Sequence, residues 1–172
     1  MEISYIDEGA VRIKGKQVTL ITKLLKNKSK NPTDAVLLLG TDRSTDFFDR
    51  DAGVIFEGAG EYEIKGTKVT GFKAGESVMY TIRLEGLTLF VGYASGAQAM
   101  KDKLHEHDIA VVLADDVLSE AVRGVLNAQV LLFAGEKLAE SAKAFDKELT
   151  KVSKYAVTRD KLPTETTYIF LG

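Results

Sequence analysis

Two short runs, IAVVLA (109–114) and QVLLFA (129–134), constrain this chain more than any other feature. Each is apolar throughout and shows no alternation. A strand without a polar face must be covered on both sides, which is the condition of strands in a helix-covered sheet. The neighbouring segments meet that demand. SGAQAMKDKLHEHD, LSEAVRGVLNA (118–128) and EKLAESAKAFDKELT (136–150) read as helices, and in the last Leu138, Ala142, Phe145 and Leu149 share one face. Two further strands are predicted at 151–157 (KVSKYAV) and 166–171 (TTYIFL).

The first half has a different period. EISYI (2–6), AVRIK (10–14) and QVTLIT (17–22) are short strands, with Val11 and Ile13 inward and Arg12 and Lys14 outward. Lys14-Gly15-Lys16 is a tight turn. KLLKNKSKNPTD (23–34) is a polar connection in which Pro32 stops any helix running through its end. AVLLL (35–39) is a fully apolar strand that empties into the polar loop GTDRSTDFFD (40–49). Strands at 54–57, 61–65 and 67–72 form a meander with a hairpin at Lys65-Gly66-Thr67, and 78–84 pairs with 87–91 through Glu85-Gly86. A meander followed by β-α units is explained by two stacked sheets with helices outside, an α/β (α+β) sandwich in one compact domain over 1–172.

Composition narrows the function classes. A chain of 172 residues buries roughly 70% of its unfolded surface, enough for a core without staples. It has no Cys, so thiolate metal sites and disulfides are excluded. The net charge of −2 argues against a nucleic-acid surface, and the lysines at 23, 26, 28 and 30 carry no interleaved aromatics. No apolar run reaches the ~18 residues of a membrane span. The start, MEISYIDEGAV, lacks the basic and apolar regions of a signal peptide, so a cytoplasmic protein without membrane or nucleic-acid partners is expected.

Several residues invite a chemical reading. Asp42, Asp46, Asp49 and Asp51 could offer oxygen ligands to Mg²⁺ or Ca²⁺, but Arg43 and Arg50 lie among them. The plainer expectation is a solvated turn in which Ser44 or Asp46 caps a short helix over 45–50. His105 and His107 are the only histidines. Two positions apart on a helix they diverge, and at a helix end they are expected as surface residues. Asp115-Asp116 follow an apolar strand and are expected to cap a helix near Leu118. Gly92–Gly96 is a glycine-bounded turn whose N–H groups could hold an anion, and Ser95 within it lacks an obvious base.

Four stretches carry a family resemblance. GAGEYEIKGTKVTGF (58–72) resembles a segment of the metallo-β-lactamase superfamily, in its UlaG-like subgroup of Zn-dependent hydrolases. ISYIDEGAVRIKG (3–15) resembles that subgroup's opening strand pair, LTLFVGYASG (87–96) the strand before its metal-bridging Asp, and TRDKLPTETTYIFL (158–171) its closing strand. The resemblance implies a four-layer αββα sandwich. It also implies a His-X-His-X-Asp-His loop, whose bound metal would lower the pKa of a water toward ~7.

Matched to that loop, Thr41, Arg43 and Asp46 occupy the His positions and Thr45 the second Asp position, with Asp42 alone unchanged as a spacer. The bridging Asp falls on Tyr93, the late His on Phe133-Ala134, the first-strand His on Glu8 and the third-strand Asp on Lys23. A hydroxyl is a poor ligand and a guanidinium repels a metal. The resemblance therefore implies a scaffold without catalytic residues or zinc, shorter than its catalytic relatives. The expected function is a catalytically inactive binding or assembly module, as a homo-oligomer or with a paralogous partner. Phe47, Phe48, Tyr93 and Phe133 are expected to gather at the loop edge as a filled cleft or contact surface. The alternatives are a hydrolase with a relocated carboxylate site around Asp42, Asp46, Asp115 and Asp116, and a small-ligand or nucleotide-binding domain using the Gly92–Gly96 turn.

Overall fold

The computed structural model describes residues 1–6, 10–23, 32–40, 53–99, 106–117, 124, 126–144 and 150–172. In the first sheet β1 (Glu2–Ile6), β2 (Ala10–Lys14) and β3 (Thr19–Ile21) run antiparallel, and β4 (Ala35–Leu38) and β5 (Val54–Glu57) continue it in parallel. The alternation in β2 is as its sequence demands: Val11 and Ile13 are buried, Arg12 is half-buried and Lys14 exposed.

The second sheet opens with the antiparallel strands β6 (Gly60–Ile64), β7 (Thr67–Ala74), β8 (Ser77–Leu84) and β9 (Leu87–Tyr93). Two of its hairpins turn on Lys65-Gly66 (φ +48° and +74°) and Glu85-Gly86 (φ +53° and +76°). Positive φ at both central residues is the type I′ turn whose twist matches the flanking strands. The chain then passes through α1 (Ala94–Ala99), β10 (His107–Leu113), β11 (Ala128–Ala134) and α2 (Leu138–Ala144). β9, β10, β11 and the closing strand β14 (Thr167–Leu171) are mutually parallel.

One predicted strand proves to be two. The segment expected as a single strand over 151–157 divides into β12 (Lys151–Val152), which pairs with β14 in the second sheet, and β13 (Lys154–Ala156), which pairs with β1 in the first. Between them the Ser153 carbonyl accepts the Tyr5 N–H at 3.2 Å. The sheet orders are therefore β13-β1-β2-β3-β4-β5 and β12-β14-β11-β10-β9-β8-β7-β6, laced together at one edge by this crossing.

The main core lies between the sheets, where Ile13, Leu20 and Leu37 meet Ile82, Val111 and Leu132. A second core lies beneath the helices, where Phe90, Val112, Leu131 and Phe133 meet Ala97 of α1 and Ala142 of α2. Odd and even residues of β10 and β11 thus enter different cores, which explains why neither strand has a polar face. On the outer face of the first sheet, Ile21, Val36 and Leu38 form a smaller cluster.

Two aromatic devices fix the sheets to each other. Tyr80 of β8 is fully buried, and its hydroxyl lies within donating distance of the Leu38 carbonyl (3.0 Å) and the Phe56 carbonyl (2.8 Å) of the opposite sheet. Burial, reinforced by the neighbouring Tyr62 and Glu57, pushes its pKa upward and keeps it a neutral donor. Nearby, the Tyr62 ring stacks on Phe56 at 4.6 Å, and its hydroxyl bonds the Glu57 and Gly58 carbonyls at 2.6 and 3.1 Å. A Cβ at Gly71 would sit 2.4 Å from the Gly58 carbonyl oxygen, so glycine is required there. This is the physical content of the segment GAGEYEIKGTKVTGF: a hinge between the sheets. Its carboxylates are surface groups, with Glu63 directly across from Lys68.

Candidate functional site: the cleft at the strand ends

Parallel strands deliver their C-terminal ends to one edge, where open α/β sheets bind ligands. Here that edge holds a cleft of about 250 Å³. The first sheet contributes Thr22 and Lys23, immediately after β3. The second sheet contributes Tyr93 at the end of β9, Leu113-Ala114-Asp115 at the end of β10 and Gly135-Glu136 after β11.

Local bonding fixes the frame of this cleft. Thr22 is buried, and its Oγ1 accepts the Val11 N–H at 3.0 Å. The Ala114 N–H donates to the Ala134 carbonyl at 2.6 Å, and the Lys137 N–H to the Ala114 carbonyl at 3.2 Å. Gly135 adopts φ +117°, and a Cβ there would come within 3.0 Å of the Ala114 backbone, so only glycine lets the two strand ends approach. Asp115 accepts the Ser95 hydroxyl at 2.6 Å and the Ser95 N–H at 3.3 Å, which fastens the start of α1 to the end of β10. Glu136 is exposed and has no ion-pair partner among the described residues. The rim therefore presents an ammonium from one sheet and two carboxylates from the other.

Of the positions singled out in the sequence, Glu8, Thr41, Asp42, Arg43, Thr45, Asp46, Phe47 and Phe48 lie outside the described residues, as do Asp49, Arg50, Asp51 and His105. Tyr93 and Lys23 line the cleft, and Ala134 is buried just beneath it. Phe133 does not join them. It is fully buried in the helix-side core and stacks on Tyr168 and Phe170 at 6.4 and 5.8 Å, whereas Tyr93 belongs with the inter-sheet cluster. Tyr93 lies in register with Leu113 and Ala134, and Phe133, the residue before Ala134, points to the opposite face and so does not share a surface with Tyr93.

The helix that Asp115-Asp116 are expected to cap near Leu118 lies outside the described residues; within them Asp115 ties down Ser95, and Asp116 bonds its neighbour, the Val117 N–H, at 2.7 Å. Two further expectations are corrected. The Gly92–Gly96 stretch is not an open anion-binding turn, because β9 runs directly into α1 and the Ser95 N–H already faces a carboxylate. Its glycines serve packing: a Cβ at Gly92 would meet Met79 Cγ at 2.8 Å, and one at Gly96 would meet Met79 Sδ at 3.2 Å. His107 opens β10 instead of ending a helix. Its N–H donates to the Asn127 carbonyl at 3.2 Å, and its ring is 3.2 Å from Thr81 Oγ1 and edge-on to Phe90. Sequence reading passed over Thr22 and Glu136, although each directly follows an apolar strand run.

The described donors of this cleft do not by themselves fit a zinc ion. Its described lining offers neither imidazole nor thiolate, and one of its two carboxylates is held by Ser95. No three His, Cys, Asp or Glu side chains converge among the described residues.

No protein-family model matches the chain, and no curated protein does. Solved structures do match. A metallo-β-lactamase-superfamily protein from Thermotoga maritima superposes with a TM-score of 0.76 at 15% identity, over 99% of this chain and 98% of its own. The metallo-β-lactamase fold protein YhfI from Bacillus subtilis gives 0.54 at 12% identity, over 90% and 98%. Zn²⁺-bound PqqB from Methylobacterium extorquens gives 0.53 at 12% identity, over 80% and 79%. The near-complete mutual coverage with the Thermotoga protein gives no support to the expectation of a shortened chain. From its first strand to its last, the chain has the metallo-β-lactamase fold.

Proposed function

We propose that this chain is a metal-free member of the metallo-β-lactamase superfamily, catalytically inactive, that keeps the scaffold as a binding or assembly module. The observation that carries this reading is the lining of the strand-end cleft. Where the resemblance places an Asp on the first sheet stands Lys23, and where it places the bridging Asp stands Tyr93. A lysine on one wall supplies no ligand to a divalent cation, and the carboxylates on the other wall lack the imidazoles that would complete its coordination. The superfamily hydrolases route their chemistry through a metal-bound water, so a cleft without that metal loses its nucleophile. The module acts in the cytoplasm, by self-association or with a paralogous chain, and without zinc, nucleic acid or membrane. No described helix is long and apolar enough to cross a membrane.

Elemental analysis of protein expressed in zinc-supplemented medium and dialysed tests the reading. The expected result is zinc, manganese and iron each far below one ion per chain, with no hydrolysis of ester, lactam or phosphodiester substrates above buffer. One or more ions retained per chain would overturn it. Light scattering coupled to size-exclusion chromatography tests self-association and should return a mass above one 18.8 kDa chain.

A further inference from the structure

A cluster of half-used polar groups lies at the opposite end of the second sheet, where β10 and β11 begin. A cleft of about 430 Å³ opens there, walled by β10, β11 and the segment before β14. Three planar side chains in its wall are each pinned by one bond to backbone. Asp108 Oδ2 accepts the Thr88 N–H at 2.6 Å, Gln129 Nε2 donates to the Pro163 carbonyl at 3.0 Å, and Arg159 Nη1 donates to the Gly86 carbonyl. The last two bonds fasten the 158–166 segment to the sheet and the first ties β10 to β9, and together they account for one end of each group. The other ends are unused: Asp108 Oδ1, Gln129 Oε1 and the remaining guanidinium N–H groups bond no described residue. Thr164 adds a hydroxyl, and among the described residues the Glu106 carboxylate is engaged only by a long 3.4 Å contact from Asn127.

We propose that this cleft binds a small, uncharged, hydroxyl-rich molecule, a cyclic polyol of about monosaccharide size. The chemistry of the wall selects that class. The wall offers both acceptors and donors around one depression, and a hydroxyl is the ligand group that both donates and accepts. Carboxylate and guanidinium forks match adjacent hydroxyls two at a time. Charges of both signs, Glu106 and Asp108 against Arg159, disfavour a strongly anionic or cationic ligand. Besides His107 and Ala128, the described lining is wholly hydrophilic, which disfavours a flat aromatic or a lipid chain. Because one end of each fork is already held, little side-chain freedom is lost on binding. The site is separate from the strand-end cleft and does not depend on the metal question there.

The test uses the full chain, with saturation-transfer NMR and calorimetry on D-glucose, D-galactose, myo-inositol and glycerol, and propan-1-ol as the single-hydroxyl control. The expected result is saturable, millimolar binding of at least one ring polyol and none of propan-1-ol. Asp108→Asn keeps an oxygen for the Thr88 N–H but turns the open end from acceptor to donor. It should weaken binding roughly tenfold or more, as the loss of a charge-assisted hydrogen bond does. Thr164→Val, at an exposed side chain, should weaken it with an unchanged melting temperature, and Glu136→Gln in the other cleft should leave it unaltered. Failure of every polyol to bind saturably, or binding indifferent to both Asp108→Asn and Thr164→Val, would overturn the proposal.

Discussion

Tyr80→Phe isolates a single oxygen that holds the two sheets in register. The Tyr80 hydroxyl is fully buried and serves the carbonyls of Leu38 and Phe56, the residues that end or nearly end β4 and β5. One residue further on, the Leu39 carbonyl accepts the Val78 N–H of β8 at 2.8 Å, so the exit of β4 is tied to the second sheet twice. Phenylalanine fills the same space, so no cavity term arises, but the single O–H shared between two buried carbonyls is lost. Leaving a buried polar group unsatisfied costs about 1–3 kcal/mol. In a domain of this size each kcal/mol lowers Tm by roughly 2–4 °C, so a fall of about 2–12 °C is expected by calorimetry or circular dichroism. The pH dependence adds a second signature. Burial raises the folded pKa of Tyr80 above its unfolded value of about 10. Its contribution is therefore complete below pH 10 and declines as pH rises above it, by up to ~1.4 kcal/mol per pH unit. The deficit of Tyr80→Phe should accordingly shrink above pH 10. A variant as stable as the parent at pH 7, or a deficit constant from pH 7 to pH 11, would refute the reasoning.

Other substitutions test other joints. Phe133→Ala removes a side chain with no exposure from the helix-side core and should cost about 3–5 kcal/mol, read as a urea midpoint. A small effect would return Phe133 to the surface. Gly71→Ala forces a Cβ to 2.4 Å from the Gly58 oxygen and should destabilise by roughly 1–3 kcal/mol, against a near-neutral Gly124→Ala. Burial alone would raise the Asp34 pKa, but Lys65 Nζ at 2.7 Å and the Thr19 N–H at 2.8 Å outweigh it and hold the carboxylate below its ordinary range. Its contribution is thus present above about pH 4 and lost as pH falls through the lowered folded value. Lys65→Met should flatten that part of the acid-unfolding curve, and an unchanged curve would contradict the pairing.

How far the fold could be read in advance depended on whether local sequence or distant contacts decide each element. The apolar runs of β10 and β11 had to be covered on both faces, and the Lys65-Gly66 and Glu85-Gly86 turns carry their own backbone chemistry. Those elements were legible. The crossing at Ser153 was not, because nothing in KVSKYAV distinguishes a strand of one sheet from two strands in different sheets; the choice is made by β14 and β1. His107 and Asp108 read as helix-end residues, yet parallel pairing with β11 and the Thr88 N–H draw them into a strand. Phe133 was placed at the cleft by position along the strand, and the pleat sends it to the other face. The cleft itself was half legible. Tyr93 and Lys23 followed from matching strand ends to a known pattern, while Asp115 found a partner twenty residues away that spacing could not reveal.

The central claim is that this scaffold holds no catalytic metal, and a crystal grown with excess Zn²⁺ and measured on both sides of the zinc absorption edge tests it most directly. The account predicts no anomalous peak at zinc-ligand distance, about 2.0–2.2 Å, from the Asp115 or Glu136 oxygens or from the side chains of residues 41–46. An ordered zinc between the sheets at that edge, held by two or more of those groups, would contradict it.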